Sequence, residues 1–186
     1  MNEDLNQIAD RYDRAASAFA DLIDGVAEDQ LTDPTPCEQW HVRDLIGHIV
    51  DNHRHFQEMV GRQPAAGPEV ADDPAGAFAT AADQTRQDLG DPDRAQTSYE
   101  GHFGKKTYAW AIDSFMTSDL VIHGWDLAQA TGQQAEIPEA EMARITADVE
   151  TWGEGARSPE VYGPAVDVGD GADDLTRFLG LVGRRA

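Results

Sequence analysis

Apolar side chains recur at alternating intervals of three and four between residues 3 and 27, at Leu5, Ile8, Tyr12, Ala15, Phe19, Leu22 and Val26, which places one stripe along a helix. The prolines of LTDPTPCEQ end that pattern, and a second helical one resumes over residues 41 to 60, with Leu45, Ile49, Asn52, Phe56 and Val60 near one face. His41 falls at its N-cap, so Trp40 can staple onto Leu45, and Asp44 stands at the third helical position, where a capping box wants an acid. The Pro- and Gly-rich stretch GRQPAAGPEVADDPAG reads as a loop. A shorter helix is expected over 75 to 89, marked by Phe78, Ala82 and Leu89. Residues 90 to 106 carry too many breakers for a helix, with a short extended piece at Thr97 to Tyr99. A fourth helix runs from Thr107 to Thr131 and stops at Gly132, and a fifth covers 138 to 152 behind Pro138. An irregular tail then leads into a terminal helix at DLTRFLGLVGRR. Four main helices without convincing alternating strands predict an all-α antiparallel four-helix bundle with additional short C-terminal helices, as one domain over 1 to 186.

The fourth helix breaks its own pattern. With Asp119 at zero on a helical wheel, Ile112, Met116, Phe115, Ile122 and Leu127 all fall within about 80° of it, and so does His123. Thr117, Val121 and Ala128 take the far side. A carboxylate inside an apolar arc is costly unless it is paired, hydrogen-bonded or bound to a cation. The i,i+4 spacing leaves Asp119 and His123 adjacent, as a helix offers two ligands to one ion. Helix two supplies His41, His48 and His55 along one line, about 10 Å apart by helical rise, so one alone can reach a given ion. The central His48 is the choice. Three protein ligands from two helices leave positions open to water or substrate.

Composition narrows the remaining classes. With 35 acidic against 14 basic residues and a net charge of -21, the chain repels phosphate backbones and anionic membranes, so neither nucleic acid nor membrane is an expected partner. The N-terminus lacks a secretory pattern and no long apolar window occurs, so the expected location is the cytoplasm. A single cysteine, Cys37, excludes an intramolecular disulfide and a Cys-only metal cluster.

Each of these residues also has a plainer reading. Asp119 and His123 can simply hydrogen-bond to each other. His41, His53, His55 and His102 taken singly read as solvated surface residues, Trp40, Trp110 and Trp125 as packing, and Lys105 and Lys106 as a solvated loop. Cys37 reads as a structural or tolerated thiol, since the sequence sets no obvious base beside it.

The blocks DPTPCEQWHVRDLIGHIV, DLVIHGWDLAQATG and VYGPAVDVGDGADDLTRFLGLVGRR together resemble the actinobacterial DinB-like metal-binding proteins related to the N-terminal domain of mycothiol-dependent maleylpyruvate isomerase. The resemblance covers almost the whole chain. It implies a DinB-like bundle whose metal ligands fall on His48, Asp119 and His123, the residues reached from the wheel. It also implies a divalent ion, zinc first, with nickel, iron or manganese also suited to His/His/Asp, and a low-molecular-weight thiol such as mycothiol as cosubstrate. Asp44 and Asp126 are candidate acceptors orienting the ligands from behind. Two departures stand out. His41 occupies a position usually held by Thr or Ser, and no counterpart of the separate C-terminal domain of the full-length isomerase is expected in these 186 residues, so maleylpyruvate is not carried over as substrate. The expectation is a metal-dependent protein performing thiol-dependent transfer or isomerisation on a small electrophile, with a homodimer compatible with that reading. The alternatives are a metal-dependent hydrolase and a non-catalytic metal-binding protein.

Overall fold

The computed structural model describes residues 4–38, 40–157 and 162–185. Glu3 and the start of the irregular tail at 158–161 lie outside the described residues. The chain divides into two compact units, Met1–Ala135 and Glu136–Ala186.

In the first unit, α1 (Leu5–Asp24) begins where Asp4 accepts from the Asn6 amide at 3.1 Å, and it buries Ile8, Tyr12, Ala16, Phe19, Leu22 and Ile23. After a 3-10 turn at Glu28–Thr32, α2 (Val42–Met59) buries Val42, Leu45, Ile46, Ile49, Val50 and Phe56. Next, α3 (Pro74–Gly90) opens with Asp73 capping the Gly76 amide at 2.9 Å and with Pro74 in its first turn, where no partner for its nitrogen is needed. Each of α1 and α2 packs against both α3 and the later α6 (Thr117–Thr131), giving the bundle its four walls. The all-α four-helix architecture is therefore as expected.

The stretch between the third and fourth helices is more ordered than its breakers suggested. One helical turn, α4 (Pro92–Ala95), precedes a hairpin of β1 (Ser98–Gly101) and β2 (Gly104–Thr107), which pairs Ser98 with Thr107 and Gly101 with Gly104. Gly104 takes a φ of 76° at the turn, a conformation open to glycine without strain.

The fourth helix is three pieces: α5 (Tyr108–Ala111), a π-helical segment (Ile112–Met116) and α6. The Thr117 amide and its hydroxyl both turn to the Ile112 carbonyl, the latter at 3.0 Å, which holds the wider turn together. Single-turn π segments of this kind within α-helices are frequent at functional sites, and Asp119 lies within a turn of this one. The expected amphipathic wheel also needs correcting, because Thr117 and Ala128, placed on the far side, are fully buried. This helix is enclosed nearly all round, so Asp119 and His123 do not stand out by facing inward. Its end at Gly132, with φ of 71°, is as expected.

The second unit holds α7 (Glu139–Trp152), a 3-10 turn at Gly153–Arg157 and α8 (Asp174–Leu181). Pro138 precedes α7 as its N-cap, and Asp173 caps α8 on the Thr176 amide at 2.8 Å. Ile145, Val149, Ala156, Tyr162, Phe178, Leu179 and Val182 are buried here. Gly180 has no room for a side chain: a Cβ would come within 2.8 Å of the Val166 carbonyl oxygen.

Candidate metal centre

Helices α2 and α6 run antiparallel, and their facing side chains meet in rungs one helical turn apart. The rings of His48 and His123 have centroids 5.1 Å apart, Asn52 Nδ2 donates to Asp119 Oδ2 at 2.8 Å, and Phe56 lies nearly parallel to Phe115, in the π-helical segment leading into α6, at 6.4 Å. Four-residue steps on both helices keep each rung in register, so the sequence spacing converts directly into one line of chemistry. His48 Nε2 stands 3.8 Å from Asp119 Oδ2, and Asn52 Nδ2 reaches His48 Nε2 at 3.1 Å as well. With one amide proton for each acceptor, Asn52 turns the His48 Nε2 lone pair and the Asp119 carboxylate toward the same amide nitrogen. The structure thus places His48 beside both Asp119 and His123.

Exposure grades across the cluster. Side chains of His48 and Asp119 are 29% and 24% exposed, while those of His123 and Asp126 are 8% and 0%. The first pair forms the mouth and the second the base. Burial works to raise the Asp119 pKa, but the adjoining His48, together with His123 and the Asn52 amide, holds its carboxyl below the usual carboxylate range. Asp119 is accordingly an anion facing two imidazoles.

At the base, Asp126 Oδ2 lies 2.9 Å from His123 Nδ1, one turn along α6. A carboxylate there is an acceptor only, so the imidazole carries its proton on Nδ1 and keeps its Nε2 lone pair for another partner. This is how a ligating histidine is oriented and its tautomer fixed. Asp44 is placed differently. It accepts from the His41 amide at 3.0 Å and lies 3.1 Å from His41 Nδ1, completing the expected helix cap with a half-exposed side chain. Those contacts hold its carboxyl below the usual range, the backbone bond foremost. His41 and Asp44 thus pair with each other at the start of α2.

The loop before α2 supplies residues whose role the sequence alone did not disclose. Thr35 and Trp40 are tied by an amide–carbonyl bond of 3.0 Å, Val42 bonds to the Asp33 carbonyl at 3.0 Å, and the Thr35 hydroxyl is 3.2 Å from the Cys37 amide. This pinned loop lays the Trp40 ring against those of His48 and His123, at 4.6 and 5.7 Å. It also brings Cys37 Sγ to 3.2 Å from Asp126 Oδ2 and 3.8 Å from His123 Nδ1. The thiol that lacked a base in the linear sequence has a carboxylate and an imidazole beside it in space. Among the described residues, the group of potential ligand atoms lying within 4.8 Å of one another is Cys37, His123 and Asp126. His48 and Asp119 adjoin that group on its exposed side.

One histidine needs reassignment. His53, expected at the surface, is buried in the core, with Nδ1 2.7 Å from the Ile49 carbonyl and Nε2 2.7 Å from the Tyr12 hydroxyl. The carbonyl can only accept, so Nδ1 donates and Nε2 accepts from Tyr12. Desolvation by burial pushes its pKa down to about 4, and it is neutral. His41, His55 and His102 are exposed, as expected.

Among the described residues no helix is long and apolar enough to cross a membrane. The sequence profile of the mycothiol maleylpyruvate isomerase N-terminal domain matches residues 12–128, a span that includes every residue of the cluster. Two uncharacterized proteins of Mycobacterium tuberculosis, from strains CDC 1551 / Oshkosh and ATCC 25618 / H37Rv, are each 32% identical over 182 residues, covering 91% of this chain and 94% of their own. No solved structure matches the chain.

Proposed function

This chain belongs to the mycothiol maleylpyruvate isomerase N-terminal domain family, and we propose that it binds a divalent metal ion through His48, Asp119 and His123 and performs thiol-dependent transfer or isomerisation on a small electrophile. The observation that carries this reading is the rung arrangement: two imidazoles 5.1 Å apart and a carboxylate oxygen 3.8 Å from the nearer nitrogen, on adjacent helices. The donor set fits the group. Two neutral imidazoles and one anionic carboxylate suit zinc first, and nickel, iron or manganese as well. Such an ion, when bound, supplies positive charge that favours the thiolate form of a thiol such as mycothiol at neutral pH.

The chain's own residues do the rest. Asp126 keeps the His123 proton on Nδ1, so that Nε2 is the donor presented. Asn52 holds the Asp119 carboxylate toward His48. Trp40 packs against both imidazoles and restricts water there, while His48 and Asp119, 29% and 24% exposed, remain within reach of a small molecule. The test is turnover by the metal-loaded chain against a panel of small electrophiles, with and without thiol. Conversion that saturates with thiol supports the reading. Conversion independent of thiol favours metal-assisted hydrolysis, and no conversion in the loaded protein favours a binding role.

A further inference from the structure

We infer that Cys37, Asp126 and His123 form a second, thiolate-containing donor set for a thiophilic divalent cation, which competes with the His48 set for His123. It goes beyond the proposed function, because it concerns the opposite nitrogen of His123 and a residue that function does not use.

The geometry is that of a metal site carrying protons. Sγ of Cys37 and Nδ1 of His123 converge on one oxygen, Oδ2 of Asp126, at 3.2 and 2.9 Å, and lie 3.8 Å from each other. A tetrahedral ion with metal–donor lengths of about 2.0 to 2.3 Å spaces sulfur, nitrogen and oxygen ligands about 3.3 to 3.6 Å apart. The three observed separations bracket that range, each within about half an ångström of it. No backbone movement is called for, and the loop carrying Cys37 is already pinned by Thr35 and Trp40.

The chemistry of exchange is balanced. In the proton form, Cys37 S–H and His123 Nδ1–H both donate to Asp126. On binding, the thiol proton leaves to solvent, the imidazole proton moves from Nδ1 to Nε2, and the ion takes the space of the two donated protons, bonded to Sγ, Nδ1 and Oδ2. One negative thiolate and one carboxylate neutralise the dication, a balance that suits burial at Asp126, which is fully enclosed. A neutral imidazole has a single lone pair to give. Filling the Cys37 set therefore puts a proton on the Nε2 that would face His48 and Asp119, and it removes His123 from that set. The cation class is set by sulfur: zinc in excess, cadmium or cobalt(II), and not magnesium or calcium.

The test adds cobalt(II) alone to the purified chain and follows thiolate-to-cobalt charge-transfer absorption in the near ultraviolet. The expected result is a band at one thiolate per ion, lost in Cys37→Ser, strongly weakened in Asp126→Asn, and retained in His48→Ala. Far-UV circular dichroism of each variant reports whether it has folded, and cadmium binding by Cys37→Ala provides a second reading of the loss. No band in the folded wild type at saturating cobalt overturns the inference, as does a band abolished by His48→Ala, which would put the thiolate in the His48 set. Failure of the proposed function is distinguishable: there, adding His48→Ala or Asp119→Ala to Cys37→Ser, which lacks the thiolate set, leaves metal content unchanged, whatever the cobalt band of the wild type does.

Discussion

Asn52 donates to Asp119 across α2 and α6 at 2.8 Å, and the same amide nitrogen lies 3.1 Å from His48 Nε2. One uncharged side chain thus sits between the imidazole and the carboxylate that are assigned to the cation.

That position makes the effect of Asn52→Ala depend on metal. In chelator-treated protein, Asp119 loses the hydrogen bond that Asn52 supplies to its charge, a loss of about 2 kcal/mol in unfolding free energy. With zinc added, the ion satisfies the carboxylate and a large part of that loss is recovered. Urea unfolding of wild type and variant, with and without zinc, measures the difference; equal losses in both conditions would contradict it.

Asp126 fixes the tautomer of His123 from behind. Asp126→Asn keeps the shape but removes the charge and the guaranteed acceptor, so metal affinity at the His48 set should fall about 10- to 100-fold with helical content unchanged. Competition against a coloured chelator gives the number. An affinity within twofold of wild type would mean that the Asp126 contact does not orient a ligand.

Buried neutral His53 predicts an acid-side loss of stability. Its pKa is about 4 in the folded chain against 6.5 unfolded, so the unfolded state binds more protons between those values. Stability from this residue is complete above pH 6.5 and falls as pH drops toward 4, by about 3 kcal/mol in total. His53→Gln, which cannot titrate, should flatten that part of the stability–pH curve. An unchanged slope in urea unfolding between those pH values would contradict the assignment.

Gly132 ends α6 with φ of 71°, and a Cβ placed there meets nothing within 4 Å. Gly132→Ala therefore isolates backbone strain from crowding and should cost about 1 kcal/mol in unfolding free energy. Gly180→Ala, with a backbone oxygen 2.8 Å from the new carbon, should cost more. Urea midpoints of the two variants give the comparison.

The helices of the bundle were legible because their apolar residues repeat at helical spacing and two of their ends carry recognisable caps: Asp44 at the start of α2 and Gly132 after α6. The i,i+4 relation of Asp119 and His123 was legible for the same reason, as was their approach to His48, since both helices advance one turn per rung. What escaped the sequence is what depends on contacts distant along the chain. His53 looks like any polar helix residue until Tyr12, 41 positions away, is found holding its ring. Cys37 meets Asp126 across 89 positions, through a loop whose path no periodicity encodes. The π segment at Ile112–Met116 leaves no mark in a wheel drawn at constant pitch, and the wheel also gave α6 an outer face that the fold encloses. Of the hairpin, the first strand was foreshadowed by the extended piece at Thr97 to Tyr99, while the second was hidden among breakers, of which Gly104 is the one its turn requires.

The central claim is that α2 and α6 together hold an ion, and the most direct measurement is the metal content of the purified chain by elemental analysis, beside that of His48→Ala and His123→Ala. The account predicts one divalent ion per chain in the wild type and less than a tenth of that in His123→Ala, which removes a donor from both sets, and in His48→Ala once Cys37→Ser has removed the thiolate set as well, with far-UV circular dichroism preserved. Full metal content in His123→Ala or in the His48→Ala, Cys37→Ser double variant, or a folded wild type that takes up no ion when offered zinc, nickel, iron or manganese, would contradict it.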